Sequence, residues 1–302
     1  MNNCNTGING GNSGDMFEGE PYTVIDGSHL KPVNCRSSLR AYISDIWELR
    51  YFIWGTASST AFKTGSGTRL GRLWIVLGPL LNSLMYALLF GVILQISRGI
   101  DNFVGFLVIG TAFFGITTAG FSLGNGLVRS SKMLVQTFDM PLASVALSRC
   151  IAKFLDFIPL VLTSVVVALV LQLGEWHLAA LLLIVPLYLL AFAFVLGVAL
   201  VIARISAFVP DSKAVIPLIT RGLFFFSGVF YSVERFATQP VLREIMIANP
   251  FYQFLNMART IVLKGESPVL IEWSYIVAWS LGLLLFGLVF CWRAEGRYAN
   301  VA

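Results

Sequence analysis

Five stretches of this sequence run for 18 residues or more without a charged side chain: 73–97, 102–128, 157–174, 178–203 and 273–292. As a helix rising about 1.5 Å per residue, each is long enough to cross a hydrocarbon layer about 30 Å thick. A sixth run, 214–233, is broken only by Arg221 and has polar flanks, so it counts as a span too. The expected fold is all-α and integral to the membrane, with six transmembrane helices across residues 38–302. Composition leaves little alternative, because only 12% of the 302 residues are charged and 57% are hydrophobic. A soluble domain carries about a quarter charged residues. The surplus apolar surface must face lipid.

Residues 1–37 are polar and rich in Gly and Asn, and are expected to be a disordered cytosolic tail with no signal peptide. Next, Leu39, Ile43, Ile46, Trp47, Arg50, Ile53 and Trp54 recur at helical spacing. A basic, Trp-bearing amphipathic helix suits the membrane surface, with Trp47, Arg50 and Trp54 as its contacts; packing on a cytosolic partner is the other reading. With the N-terminus inside, 15 of the 21 basic residues fall on the inner side and five on the outer, and Arg221 lies within a span. That bias places both termini in the cytoplasm. The inner connection 129–153 reads as short helices broken near Pro141. The outer connection 234–272 holds two short apolar segments, 240–248 and 251–263, parted by Asn249-Pro250. Neither is long enough to span, so they are expected to be half-helices dipping into the outer leaflet.

Catalytic chemistry has little to work with. His29 and His177 are the two histidines, and Cys4, Cys35, Cys150 and Cys291 are scattered. No metal site is expected, and the chain has no phosphate-binding loop. Residues 63–68 imitate one loosely but read as a joint before the first span. Arg221 is the notable intramembrane charge, with either a pathway role or an interfacial one. Aromatic residues gather at Tyr86 and Phe90, and again at Phe224, Phe225, Phe226, Phe230 and Tyr231. Such rings suit the apolar faces of sugars, although aromatics near membrane interfaces are also commonplace. Gly120-x-x-x-Gly124 would let the second span approach another helix closely.

From about Leu39 onward the chain resembles the permease subunit of ABC exporters that move lipid-linked polysaccharides, such as O-antigen, capsule, teichoic acid and galactan. The resemblance is carried by several segments in order. They are the basic-aromatic helix, Arg69-Leu70-Gly71-Arg72-Leu73-Trp74 with Pro79, the inner helical segment, Val209-Pro210-Asp211, and Ala248-Asn249-Pro250-Phe251. Pro210 stands where the family often has Arg. The resemblance implies a homodimeric channel in the bacterial cytoplasmic membrane, paired with two copies of a separate ATPase that binds ATP and Mg. The chain itself would be no enzyme and would bind no cofactor; membrane lipid and the lipid-linked glycan are expected partners, nucleic acid is not. It further implies ATPase coupling through Arg129, Lys132, Met140, Pro141, Ser144 and Arg149. The pathway would be lined by Tyr86, Phe90, Arg221, Phe224, Phe225, Phe230 and Tyr231. An external gate would comprise Asn249, Pro250, Phe251 and Tyr252. A drug or small-lipid exporter is the main alternative, ahead of a gradient-coupled carrier or a membrane transferase.

Overall fold

The computed structural model describes residues 38–63, 73–86, 88–89, 102–137, 140–172, 178–233 and 239–298. The predicted tail, Phe90 and residues 69–72 lie outside them. Among the described residues the chain is helical, with no strand. In order come α1 (Leu39–Glu48), α2 (Arg50–Lys63), α3 (Leu73–Tyr86), α4 (Phe103–Gly124), α5 (Leu127–Ser130), α6 (Lys132–Thr137) and α7 (Leu142–Leu171). There follow α8 (Leu178–Leu181), α9 (Ile184–Phe208), α10 (Ser212–Phe226), α11 (Pro240–Ile247), α12 (Pro250–Arg259), a π turn (Thr260–Lys264), α13 (Leu270–Trp292) and α14 (Glu295–Tyr298).

Among these, Phe103–Gly124, Leu142–Leu171, Ala179–Phe208 and Leu270–Trp292 are four stretches long and apolar enough to cross a membrane. Their ends are set by local chemistry. Asn102 opens α4, its Oδ1 accepting from Gly105 N at 2.9 Å while its Nδ2 donates to Ala168 O at 2.9 Å. Glu272 reaches back to accept from Val269 N at 3.1 Å, closing the first turn of α13.

Two boundaries differ from the sequence reading. The third apolar run, as far as Leu171, is the C-terminal part of one longer helix, since α7 begins at Leu142 and absorbs the charged stretch through Asp156. Charge marks where a helix leaves lipid, not where it ends. The run at 214–233 is not one continuous helix: α10 stops at Phe226, and Gly228 turns the chain with φ +62°. A left-handed residue just past a helix end is the usual stop, and glycine takes it without a Cβ clash. The 15 residues of α10 extend about 22 Å, and Val229, Phe230 and Val233 fold back as buried residues.

Helix α4 is the hub, buried along most of its length between α7, α9 and α12. Gly120 and Gly124 serve this packing within the chain. A Cβ on Gly120 would lie 2.6 Å from Val195 O, and Gly124 is closed off by Ala199 O of the same helix α9. On the other side of α9, a Cβ on Gly197 would meet the backbone of Leu283 at 2.6 Å, so α13 crosses with backbones nearly touching. The short α5 and α6 precede Pro141, as the inner connection's sequence suggests.

Candidate functional site

Two groups of residues tie the bundle together, one at each end. The first starts at Asn249, whose Oδ1 accepts from Phe251 N at 3.0 Å, with Pro250 as the first helical residue of α12. Proline there loses no helical hydrogen bond and presets φ. Phe251 does not face an opening; it is buried, stacked 6.0 Å from Phe121 and edge-on 5.3 Å from Phe194. It anchors α12 between α4 and α9. Tyr252 is buried against Gly228, and its hydroxyl donates to Asn256 Oδ1 at 3.4 Å. Asn249 Nδ2 donates to Ser227 Oγ at 3.2 Å. By contrast α11 exposes Val241 and Ile245.

Arg259 closes this group. It is buried, and its Nε donates to Phe106 O at 3.2 Å, Nη1 to Gly228 O at 2.9 Å and Nη2 to Val229 O at 2.9 Å. The guanidinium also lies 3.4 Å from the centre of the Phe106 ring. Gly110 leaves room for it, since a Cβ there would collide with Nη2. Sequence reading placed Arg259 among the outer-loop charges. The signal was its spacing: Phe251, Leu255 and Arg259 fall four apart, on one stripe of α12.

Tyr86, Phe224, Phe225 and Phe230 do come together. Phe224 lies 5.6 Å from Tyr86, 4.8 Å from Phe230 and 5.0 Å from Phe114, ring centre to ring centre. Phe230 is buried and completes the packing, while Phe225 and Phe226 stand 57% and 62% exposed. Tyr231 donates to Phe225 O at 2.5 Å, holding the turn against the end of α10. Arg221 is exposed on α10, three residues from Leu218 and four from Phe225, which are exposed as well.

At the opposite end of the bundle, Pro141 occupies the N-cap of α7 and offers no side-chain acceptor. Remote residues supply it. Glu295 Oε1 accepts from Leu142 N at 2.7 Å, and Oε2 accepts from the Tyr42 hydroxyl at 3.1 Å. That hydroxyl in turn accepts from Ala143 N at 3.3 Å. One carboxylate thus joins α1, α7 and α14 at the positive end of a helix dipole. Burial, foremost, with the nearby Glu295 charge adding to it, pushes the Tyr42 phenol well above its ordinary value of 10.0, keeping it a proton donor. Ser144 is buried with its Oγ donating to Pro141 O at 2.7 Å, Pro141 is covered, and Met140 is half-buried. Arg149 reaches Ser130 Oγ at 3.0 Å and Ser131 Oγ at 2.9 Å, pinning the short helices to α7. Arg129, Lys132 and Met133 are exposed. So are Trp47 and Trp54, with the Arg50 guanidinium 4.5 Å from the Tyr51 ring centre. Among the described residues no His, Cys, Asp or Glu cluster could hold a metal ion.

Comparison with known proteins places this architecture. The ABC-2 type transporter membrane family matches residues 57–263, from α2 through the π turn. The chain belongs to the ABC-2 type transporter family. Within it, the chain is 23% identical over 208 residues to the O-antigen export system permease protein RfbA of Myxococcus xanthus, covering 67% of this chain and 76% of that protein. It is 21% identical over 221 residues to the polysialic acid transport protein KpsM of Escherichia coli, covering 73% of this chain and 84% of that one. The ABC-2 match takes in the aromatic group, α11, α12 and Arg259. Glu295, which caps α7 from outside the matched region, lies beyond it.

Proposed function

We propose that this chain is the membrane subunit of an ATP-driven exporter of lipid-linked polysaccharide in the bacterial cytoplasmic membrane. Two copies form the channel and two separate ATPase subunits bind ATP and Mg. The observation that carries the reading is the similarity to two polysaccharide-moving permeases along two thirds of the chain. Six crossings are assigned to the segments that contain α3, α4, α7, α9, α10 and α13, with both termini inside. The exposed stripe of Arg221, Phe225 and Phe226 on α10 then faces the second copy and the passing glycan, whose apolar ring faces stack on aromatics. The exposed Trp47 and Trp54 rest on the inner membrane surface.

Work reaches the channel from the inside. Arg129, Lys132 and Met133 are the exposed groups able to meet an ATPase, and Arg149 joins their helices to α7. Displacing that rigid unit tilts a helix that continues to the outer surface, so a bistable bundle is biased without energy from the cargo. The test is depletion of the chain in its native cell. Lipid-linked polysaccharide should accumulate on the cytoplasmic side. An unchanged cell-surface glycan, with new sensitivity to small amphiphiles, would favour the drug or small-lipid exporter instead.

A further inference from the structure

We propose that Arg259 is a latch that holds the outer end of α10 shut against the re-entrant pair, and that opening the exit requires Gly228 and Val229 to leave it. The proposal deepens the exporter reading and rests on it for what the opening admits.

Four observations converge on one turn. The segment just after α10 is non-helical and turned by Gly228, so its carbonyls are free of helical bonds. Arg259 takes two of those carbonyls with its two terminal nitrogens and, through Nε, spends a third bond on Phe106 of the hub helix α4. Tyr252 covers the same glycine, and Asn249 holds Ser227. The re-entrant pair therefore clasps α10 at its tip, while the body of α10 packs only lightly on α4 and α9 and exposes Val215, Leu218 and Ile219.

The chemistry suits release rather than permanent closure. Among the described residues, the hydrogen-bond partners of Arg259 are three neutral main-chain carbonyls. A buried carboxylate would hold the cation strongly and leave a costly unpaired charge when parted. Carbonyl oxygens can be exchanged for water or glycan hydroxyls as the turn withdraws. The Phe106 ring remains on the cation throughout, so the guanidinium is never stranded. The rigid fork also explains why arginine serves: two donors of one group hold two successive carbonyls.

The experiment uses the full chain in intact cells, with Val229→Cys as a reporter and a membrane-impermeant maleimide outside. Val229 is 0% exposed, and its side chain is not what Arg259 binds. Ser164→Cys, also 0% exposed and in α7, is the control for general loosening. With Arg259 intact the reporter should label slowly. Arg259→Gln should speed it by about tenfold, the consequence of losing charge-assisted bonds, with the control unchanged. Arg259→Lys, which keeps the charge and loses the fork, should fall between them and carries the test if the glutamine variant does not reach the membrane. Unchanged labelling in a folded variant overturns the latch, and so does equal acceleration at both cysteines. The measurement needs neither ATPase nor cargo. A failed latch thus leaves the exporter reading standing, and a wrong cargo leaves the latch intact.

Discussion

Glu295 lies 2.7 Å from the amide of Leu142 across 153 positions of sequence, and it is the acceptor that the N-terminus of α7 would otherwise lack. Its second oxygen holds Tyr42, so the first and last described helices meet at the start of a helix that runs to the other face. Removing both acceptors with Glu295→Ala should cost about 2 kcal/mol, the scale of a charge-assisted hydrogen bond. Hydrogen exchange at Leu142 and Ala143 should accelerate, and Glu295→Gln should do less. Unchanged exchange at those amides would show that the cap is dispensable.

The end of the bundle around Pro141 separates exposed groups from buried ones. Lys132→Glu combined with Arg129→Glu should weaken ATPase association while leaving the folded yield unchanged, because both side chains are exposed. Ser144→Asp should instead lower the yield itself, since Ser144 is 1% exposed and bonded to Pro141. Quantifying bound ATPase per folded permease separates these effects. Normal association in the double variant would move the docking surface elsewhere.

The aromatic group divides in the same way. Phe230→Ala should destabilise by about 3–5 kcal/mol, as emptying a buried Phe site does. Phe225→Ala with Phe226→Ala should spare thermal stability and reduce export several-fold. Equal loss of folded protein from both would make all of these residues packing alone.

Gly197→Ala should cost about 1–3 kcal/mol through overpacking, because its Cβ would press on the Leu283 backbone. Gly282→Ala, on the facing helix but with open space around it, should be close to neutral. A detergent melting comparison of the two checks the α9–α13 crossing.

Much of this was legible in the sequence because lipid imposes length. Uncharged runs gave α4 and α13 to within four residues and α9 only to within six, and Asn249-Pro250 marked the start of α12. What was hidden came from packing. The apolar run at 214–233 does not disclose that Gly228 ends a helix inside it, since glycine is common within membrane helices. The resemblance implied a gate role for Phe251, and three-dimensional contacts with Phe121 and Phe194 bury it. Arg259 looked like a loop charge because its carbonyl partners come from α4 and the turn after α10, which no local pattern reveals. The Gly120 and Gly124 pair did announce a close helix contact; which helix it meets depended on the fold, and the answer is α9 of the same chain.

The central claim is a half-transporter, and affinity purification of the tagged chain in mild detergent tests it most directly. The account predicts recovery of a phosphate-loop ATPase in amounts equal to the permease. A stable, well-folded permease recovered without any ATPase would contradict it.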